Sequence, residues 1–182
     1  AWQGLSLWAM DGTTFRTPDS ADNRAHFGAQ AYASGKVASY PQVRAVSVTA
    51  IPTHLVSDIA FDAYGQNEML YAKTLIGRIA DHSLTVFDRG FLCAEILLGL
   101  TLSGQERHYL IPAKSNTKWE VLSGSADDCL VRMRVSPQAR AKAPELPEHW
   151  VARAVRTVSA NGKQRILLTS LLDRRRFKAD TL

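Results

Sequence analysis

The sequence predicts an α/β protein in two parts: a mixed sheet with helices packed on it, followed by an antiparallel β region. Three observations lead there. Short apolar runs alternate with amphipathic or wholly apolar stretches of helical length through the first 115 residues. Beyond Asn116 the pattern turns to strict alternation of apolar and polar residues. Charge follows the same division, with 7 Lys+Arg against 9 Asp+Glu in residues 1–100 and 15 against 8 in residues 101–182.

The first run, Leu5 to Asp11, reads as a buried strand that stops on a carboxylate, and "TPDSADNRAHFG" as the turn-rich loop after it. Val43 to Ala50 ("VRAVSVTA") alternates as a strand does, and "HLVSDIAFDAYG" beyond Pro52 reads as its antiparallel partner. Asn67 is a helix N-cap with Glu68 behind it. Met69, Ala72, Ile76 and Ile79 then share one helical face, and Lys73 and Arg78 point to solvent. "SLTVFD" is too apolar for a surface strand, and it too ends on a carboxylate, Asp88. "GFLCAEILLGLTLSG" is a second helix stopping near Gly104, and "HYLIPAK" a further strand.

The order β-β-β-α-β-α-β follows. Strands joined through a helix are parallel, with a right-handed crossover, and such sheets bind ligands at the carboxyl ends of their strands. Asp11 and Asp88 both fall at carboxyl ends. If their strands are neighbours, the backbones run about 4.8 Å apart and the two carboxylates reach one cation. Carboxylates without a His or Cys cluster suit Mg²⁺ or Mn²⁺ rather than zinc. Two ordinary turn aspartates are the competing reading.

In the second part, "CLVRMRVS" places Val131, Met133 and Val135 on one face and Arg132 and Arg134 on the other. "HWVARAVRTVSANGKQRILLTSLL" carries Asn161-Gly162 between two strand-like runs, a strong hairpin signal. "SPQARAKAPELPEHW" reads as a Pro- and Ala-rich loop. The expected layout is a core over 1–115, a β insertion over 116–172, and the start of a return to the core over 173–182.

Composition narrows the function classes. With 46% hydrophobic residues in 182, the chain can bury a real core. No run approaches the roughly 18 apolar residues of a membrane span, and the start is unlike a signal peptide, so a soluble cytoplasmic protein is expected. Cys93 and Cys129 lack metal-ligand spacing and read as reduced structural thiols. A basic half joined to a carboxylate-bearing half suits the handling of a polyanion through metal ions.

Five pieces in order, "AMDGTTFRTPDSADNRAHFG", "YPQVRAV", "THLVSD", "NEMLYAKTLI" and "LTVFDRGF", resemble the catalytic core of bacterial insertion-sequence transposases of the DDE type, the cut-and-paste group with a β-strand insertion. The likeness runs closely from Leu5 to Phe91 and more loosely beyond. It implies a ribonuclease H-like fold, with Asp11 and Asp88 as the first two acids of an Asp-Asp-Glu triad holding two Mg²⁺ ions, for which Mn²⁺ substitutes. It implies hydrolysis of double-stranded DNA at transposon ends and transfer of the freed 3′-hydroxyl into target DNA. A homodimer in a synaptic complex, associated with the bacterial nucleoid, goes with it. A non-catalytic DNA-binding relative and a metal nuclease without strand transfer are the alternatives. The Tyr-x-x-Arg-x-x-x-Glu signature that carries the third acid in this family is absent from the chain. We therefore expect an excised core that is inactive alone.

Other residues divide between roles. Arg89, beside Asp88, is a candidate for the scissile phosphate or for a structural ion pair. Arg132, Arg134, Arg153 and Arg156 on the insertion, and Arg174, Arg175 and Arg176 near the end, are candidate phosphate contacts, the last three competing with a solvated tail. Trp119 and Trp150 could stack on bases or pack in the interior. Asp19 and Asp22 read as turn residues, His54 as a strand histidine with a local hydrogen bond, and Cys93 as an inert buried thiol.

Overall fold

The computed structural model describes residues 1–33, 35–159 and 162–182. One nine-stranded sheet runs through it, in the order β3-β2-β1-β4-β5-β9-β8-β7-β6. In chain order the elements are β1 (Ser6–Arg16), α1 (Ala21–Phe27), β2 (Gln42–Ala50), β3 (Leu55–Ala63), α2 (Glu68–Ile76), β4 (Ser83–Phe87), α3 (Ala94–Leu102) and β5 (Arg107–Pro112). There follow β6 (Glu120–Gly124), β7 (Asp128–Arg134), α4 (Pro137–Lys142), β8 (His149–Val158) and β9 (Gln164–Thr169). Single 3₁₀ turns occupy Arg89–Phe91 and Ala179–Thr181.

β1, β4 and β5 are parallel neighbours joined through α2 and α3, while β2 and β3 lie antiparallel on the other side of β1. This is the helix-flanked mixed sheet of the ribonuclease H-like class expected above. Met10 and Val48 of the sheet, Phe87 of β4 and Leu75, Leu97 and Leu100 of the helices meet in one buried cluster. At about 25 cal/mol per Å² of apolar surface removed from water, each of these side chains contributes some 1.5–3 kcal/mol to folding.

The first strand departs from expectation. Its pairing with β2 continues without a break from Trp8↔Ala50 to Arg16↔Gln42, so Asp11-Gly12 lies inside a strand and is no turn. What ends near Asp11 is only the pairing with β4. The stretch read as a loop holds α1, capped by Ser20, whose hydroxyl accepts from Asn23 N, and closed by Gly28 at φ 70°. Asp22 sits in its first turn and Asp19 pairs with Arg24. His54 belongs to the β2–β3 turn with a left-handed φ of 57°, rather than to a strand.

The second half also differs in detail. The segment 116–172 does not hang off the core: β9 pairs antiparallel with β5, and β8, β7 and β6 extend the same sheet. Val131, Met133, Trp150 and Ala152 join the cluster that holds Met10. The hairpin signal has its strands, with Val158 opposite Gln164; Asn161 itself lies outside the described residues. β6 and α4 were not expected. α4 starts at Ser136, whose hydroxyl accepts from Ala139 N, with Pro137 in the first turn, a position that suits its fixed φ and missing N–H. Among the described residues no helix is long and apolar enough to cross a membrane.

Candidate active site

Parallel pairing sets the depth of the two acids. The β1–β4 register runs Ser6↔Ser83 to Met10↔Phe87, so Asp11 and Asp88 each come one position past the last pair. Met10 and Phe87 are buried and anchor both strands at that depth, and Asp11 and Asp88, the next residue on each strand, are exposed.

Each carboxylate is held locally. Asp11 Oδ1 accepts from Gly12 N at 2.8 Å, and Asp88 Oδ2 accepts from Gly90 N at 3.0 Å, which caps the 3₁₀ turn. Among the described residues neither has an ion pair with Lys, Arg or His. Two hard oxygen donors fit Mg²⁺, which is held through one or two carboxylates while water and substrate phosphate complete its shell. No group of three or more His, Cys, Asp or Glu that could hold a metal occurs among the described residues. Glu68 does not supply a third acid: at the start of α2 its carboxylate lies against Gly12 and 3.7 Å from Arg44 Nε.

The basic residues separate into two sets. Arg89 is exposed beside Asp88 and borders a cleft of about 880 Å³ that Asp88, Lys114, Trp119, Arg156 and Arg165 also line. Arg156 reaches this cleft while paired with Asp127 at 3.0 Å. Asp11 lies outside the lining.

The other arginines are held within the fold to differing degrees. Arg153, expected to contact phosphate, has no exposed surface: Asp128 takes its guanidinium through both oxygens, so it cannot meet DNA in this structure. Arg132 is tied to Glu120 across β6 and β7 at 2.6 Å, and Arg134 lies 3.9 Å from Glu148. Arg174 bonds Asp128 and the Ser123 carbonyl, and Arg176 bonds Glu106 and the Gln3 carbonyl, so this basic run straps the last segment to the sheet. Arg175 is exposed, its backbone N donating to Asp173. Trp150 is 8% exposed and packs inside, whereas Trp119 stays half-buried at the cleft.

Lys114, Lys163 and Arg165, which line this cleft, were not singled out in the sequence. A signal was present: Lys114 ends the "HYLIPAK" strand and the other two open the strand after the Asn-Gly hairpin. Strand ends of one sheet were the place to look for them.

Comparisons with known proteins point to one family. The profile of the family described as "Transposase DDE domain" matches residues 2–182. The transposase InsG for insertion sequence element IS4, from Escherichia coli K12, is 38% identical over 177 residues, 97% of this chain and 40% of the relative. The putative transposase InsZ of the same organism is 34% identical over 121 residues, 66% of this chain and again 40% of the relative. The chain thus spans well under half the length of either. Among solved structures, a piggyBac transposase synaptic complex with hairpin DNA aligns over 91% of this chain and 33% of its own, at 9% identity and a TM-score of 0.43.

Proposed function

Since this chain belongs to the transposase DDE domain family, we propose that it contributes Asp11 and Asp88 to a metal-dependent centre that cuts DNA at transposon ends and joins the freed 3′-hydroxyl to target DNA. The observation that carries this is the parallel β1–β4 register ending at Met10↔Phe87, one step before both acids. A pair of Mg²⁺ ions, with Mn²⁺ as substitute, would activate the attacking water or hydroxyl and stabilise the leaving oxygen of an in-line displacement.

The protein's part is to hold charge in a fixed place. Asp11 sits on a strand paired on both sides up to that point, and Asp88 is pinned by Gly90 N, so neither carboxylate has to be ordered when substrate arrives. Arg89, next to Asp88, exposed at the cleft and free of any ion pair among the described residues, would meet a phosphate oxygen. DNA is thus the partner of the cleft side of the sheet, and a homodimer in a synaptic complex is the assembly this family reading brings with it.

The test is a calorimetric titration with Mn²⁺ of the wild type, Asp11→Asn and Asp88→Asn. Binding in the wild type that is lost in both variants supports a shared cation. Equal binding in all three would remove these carboxylates from the site.

A further inference from the structure

Past Met10, β1 loses β4 as a neighbour and is paired with β2 alone. The next peptide link, between Asp11 and Gly12, carries the N–H that holds Asp11 Oδ1 at 2.8 Å. The direction of the acid therefore depends on a peptide held from one side only. Its second residue is the one with the most backbone freedom. A glycine inside a strand either weakens it or marks the close approach of another group, and here a group does approach.

Glu68, the first residue of α2, lays its carboxylate on Gly12. A β-carbon at position 12 would stand 2.9 Å from both Cδ and Oε2 of Glu68 and 3.3 Å from Oε1. Carbon atoms pack at about 3.5–4.0 Å, so the carboxylate already fills the space that a side chain would take. Glu68 is steadied in turn by Arg44 of β2, whose Nε lies 3.7 Å from Oε1. That is an ion pair too long for a hydrogen bond. Arg44 is itself fixed: Nη1 donates to the Gln66 carbonyl at 3.2 Å, and the guanidinium lies 4.5 Å from the centre of the Tyr64 ring.

The helix does not need this carboxylate for its own start or its docking. Asn67 caps α2 by accepting from Met69 N, and Ala72 and Leu75, both fully buried, hold it to the sheet. What Glu68 adds is the contact with Gly12.

We propose that Glu68 is a positioning residue for Asp11: its carboxylate, steadied by Arg44, stands in for a side chain at Gly12 and fixes the peptide that aims Asp11 at a cation. The inference rests on the reading of Asp11 as a metal ligand, and it adds where the rigidity of that ligand comes from. Groups that orient a metal ligand are worth about 10–100-fold in metal affinity. The brace works by shape, so glutamine replaces Glu68 and alanine does not. A methyl group at position 12 competes with Glu68, and takes its place once Glu68 is gone.

The test compares the wild type, Glu68→Gln, Glu68→Ala, Gly12→Ala and the double variant Gly12→Ala/Glu68→Ala by two measurements. One is the order parameter of the position-12 amide from NMR relaxation in EDTA; the other is Mn²⁺ affinity by calorimetry. In Glu68→Ala the order parameter is expected to fall from about 0.85 towards 0.6. Its Mn²⁺ affinity drops about tenfold or more, while Glu68→Gln keeps both values close to those of the wild type. The double variant is closer to the wild type than either alanine variant alone, because the two sites are coupled. A merely structural role would lower the urea midpoint and leave the position-12 amide and the Mn²⁺ affinity unchanged, which overturns the proposal. Losses that simply add in the double variant overturn it as well, and should Gly12→Ala fail to fold, the contrast between Glu68→Ala and Glu68→Gln decides. Absence of Mn²⁺ binding in the wild type removes Asp11 as a ligand, and the amide measured in EDTA then decides the brace by itself.

Discussion

Asp128 grips Arg153 through both carboxylate oxygens, Nε to Oδ1 and Nη2 to Oδ2, each at 2.8 Å. The third nitrogen, Nη1, donates to the Phe177 carbonyl at 2.6 Å and to that of Leu171 at 3.4 Å. One buried guanidinium therefore ties β7, β8 and the last segment of the chain together. Removing a single partner of a buried pair leaves the other charge without compensation, at a cost of about 3–5 kcal/mol. Asp128→Ala is expected to lose stability in that range by urea denaturation. A loss under about 1 kcal/mol would mean that the two carbonyls suffice to hold Arg153.

The same pair shapes the response to acid. The hydrogen bonds from Arg153 hold the Asp128 carboxyl below its ordinary range, with Arg174 adding to the effect. A carboxyl whose folded pKa lies below its unfolded value of about 3.9 contributes stability above that pH and loses it as pH falls through the folded value. Glu106 shares the sign, lowered by the hydrogen bonds from His82 and Arg176. The urea midpoint is expected to hold from pH 7 to 5 far better than from pH 4 to 2. Asp128→Asn should show a smaller acid drop than the wild type, and parallel curves would assign the drop to other groups.

How much of this was legible depends on the range of the forces involved. The neighbourhood of Asp11 and Asp88 could be read because two apolar runs, each ending on Asp and joined through a helix, leave few topologies. Residues Gly12 to Arg16 could not be read as strand: they are largely exposed and polar, and only pairing with β2, some 30 residues away, holds them extended. β6 is exposed at every position and exists as the edge partner of β7. Arg153 looked like an outward cation because the residues that bury it, Asp128 and Phe177, stand about 25 positions away on either side. α4 was legible from Ser136-Pro137, a cap followed by proline at a helix start, although proline also reads as a breaker.

Asp88 does two jobs that substitution can separate. Its Oδ2 accepts from Gly90 N and caps the turn, while its charge is the part that would attract a cation. Asparagine keeps an acceptor and loses the charge, whereas alanine loses both. Asp88→Asn is expected to stay within about 0.5 kcal/mol of the wild type, and Asp88→Ala to cost about 1 kcal/mol. Millimolar Mn²⁺ should raise the urea midpoint of the wild type and not that of Asp88→Asn, because only a ligand bound to the folded state stabilises it. An equal rise in both would locate the cation elsewhere.

Cys93 precedes α3, where a helix N-terminus ordinarily favours a thiolate, yet burial outweighs this and pushes its thiol up. Cys129 is buried in β7. Neither thiol is expected to react with an aromatic disulfide reagent at pH 8 within minutes, and both should react at once in 8 M urea. Immediate native labelling of Cys93→Ser, which retains only Cys129, would show that β7 opens readily to solvent.

The joint between the two halves of the sheet is narrow. β5 and β9 share only the pairs Leu110↔Thr169, Ile111↔Leu168 and Pro112↔Leu167, but Ile111 and Leu168 are fully buried, and the cluster they belong to contains both Val46 of β2 and Val131 of β7. If buried apolar contact decides cooperativity, this joint transmits unfolding from one half to the other despite its length. Native-state hydrogen exchange is then expected to give the amides of Val46 and Val131 the same opening free energy, and Ile111→Ala, which leaves a cavity, to lower both by about 2–5 kcal/mol. A variant that lowers only the Val131 value would divide the sheet into two cooperative units meeting at β5.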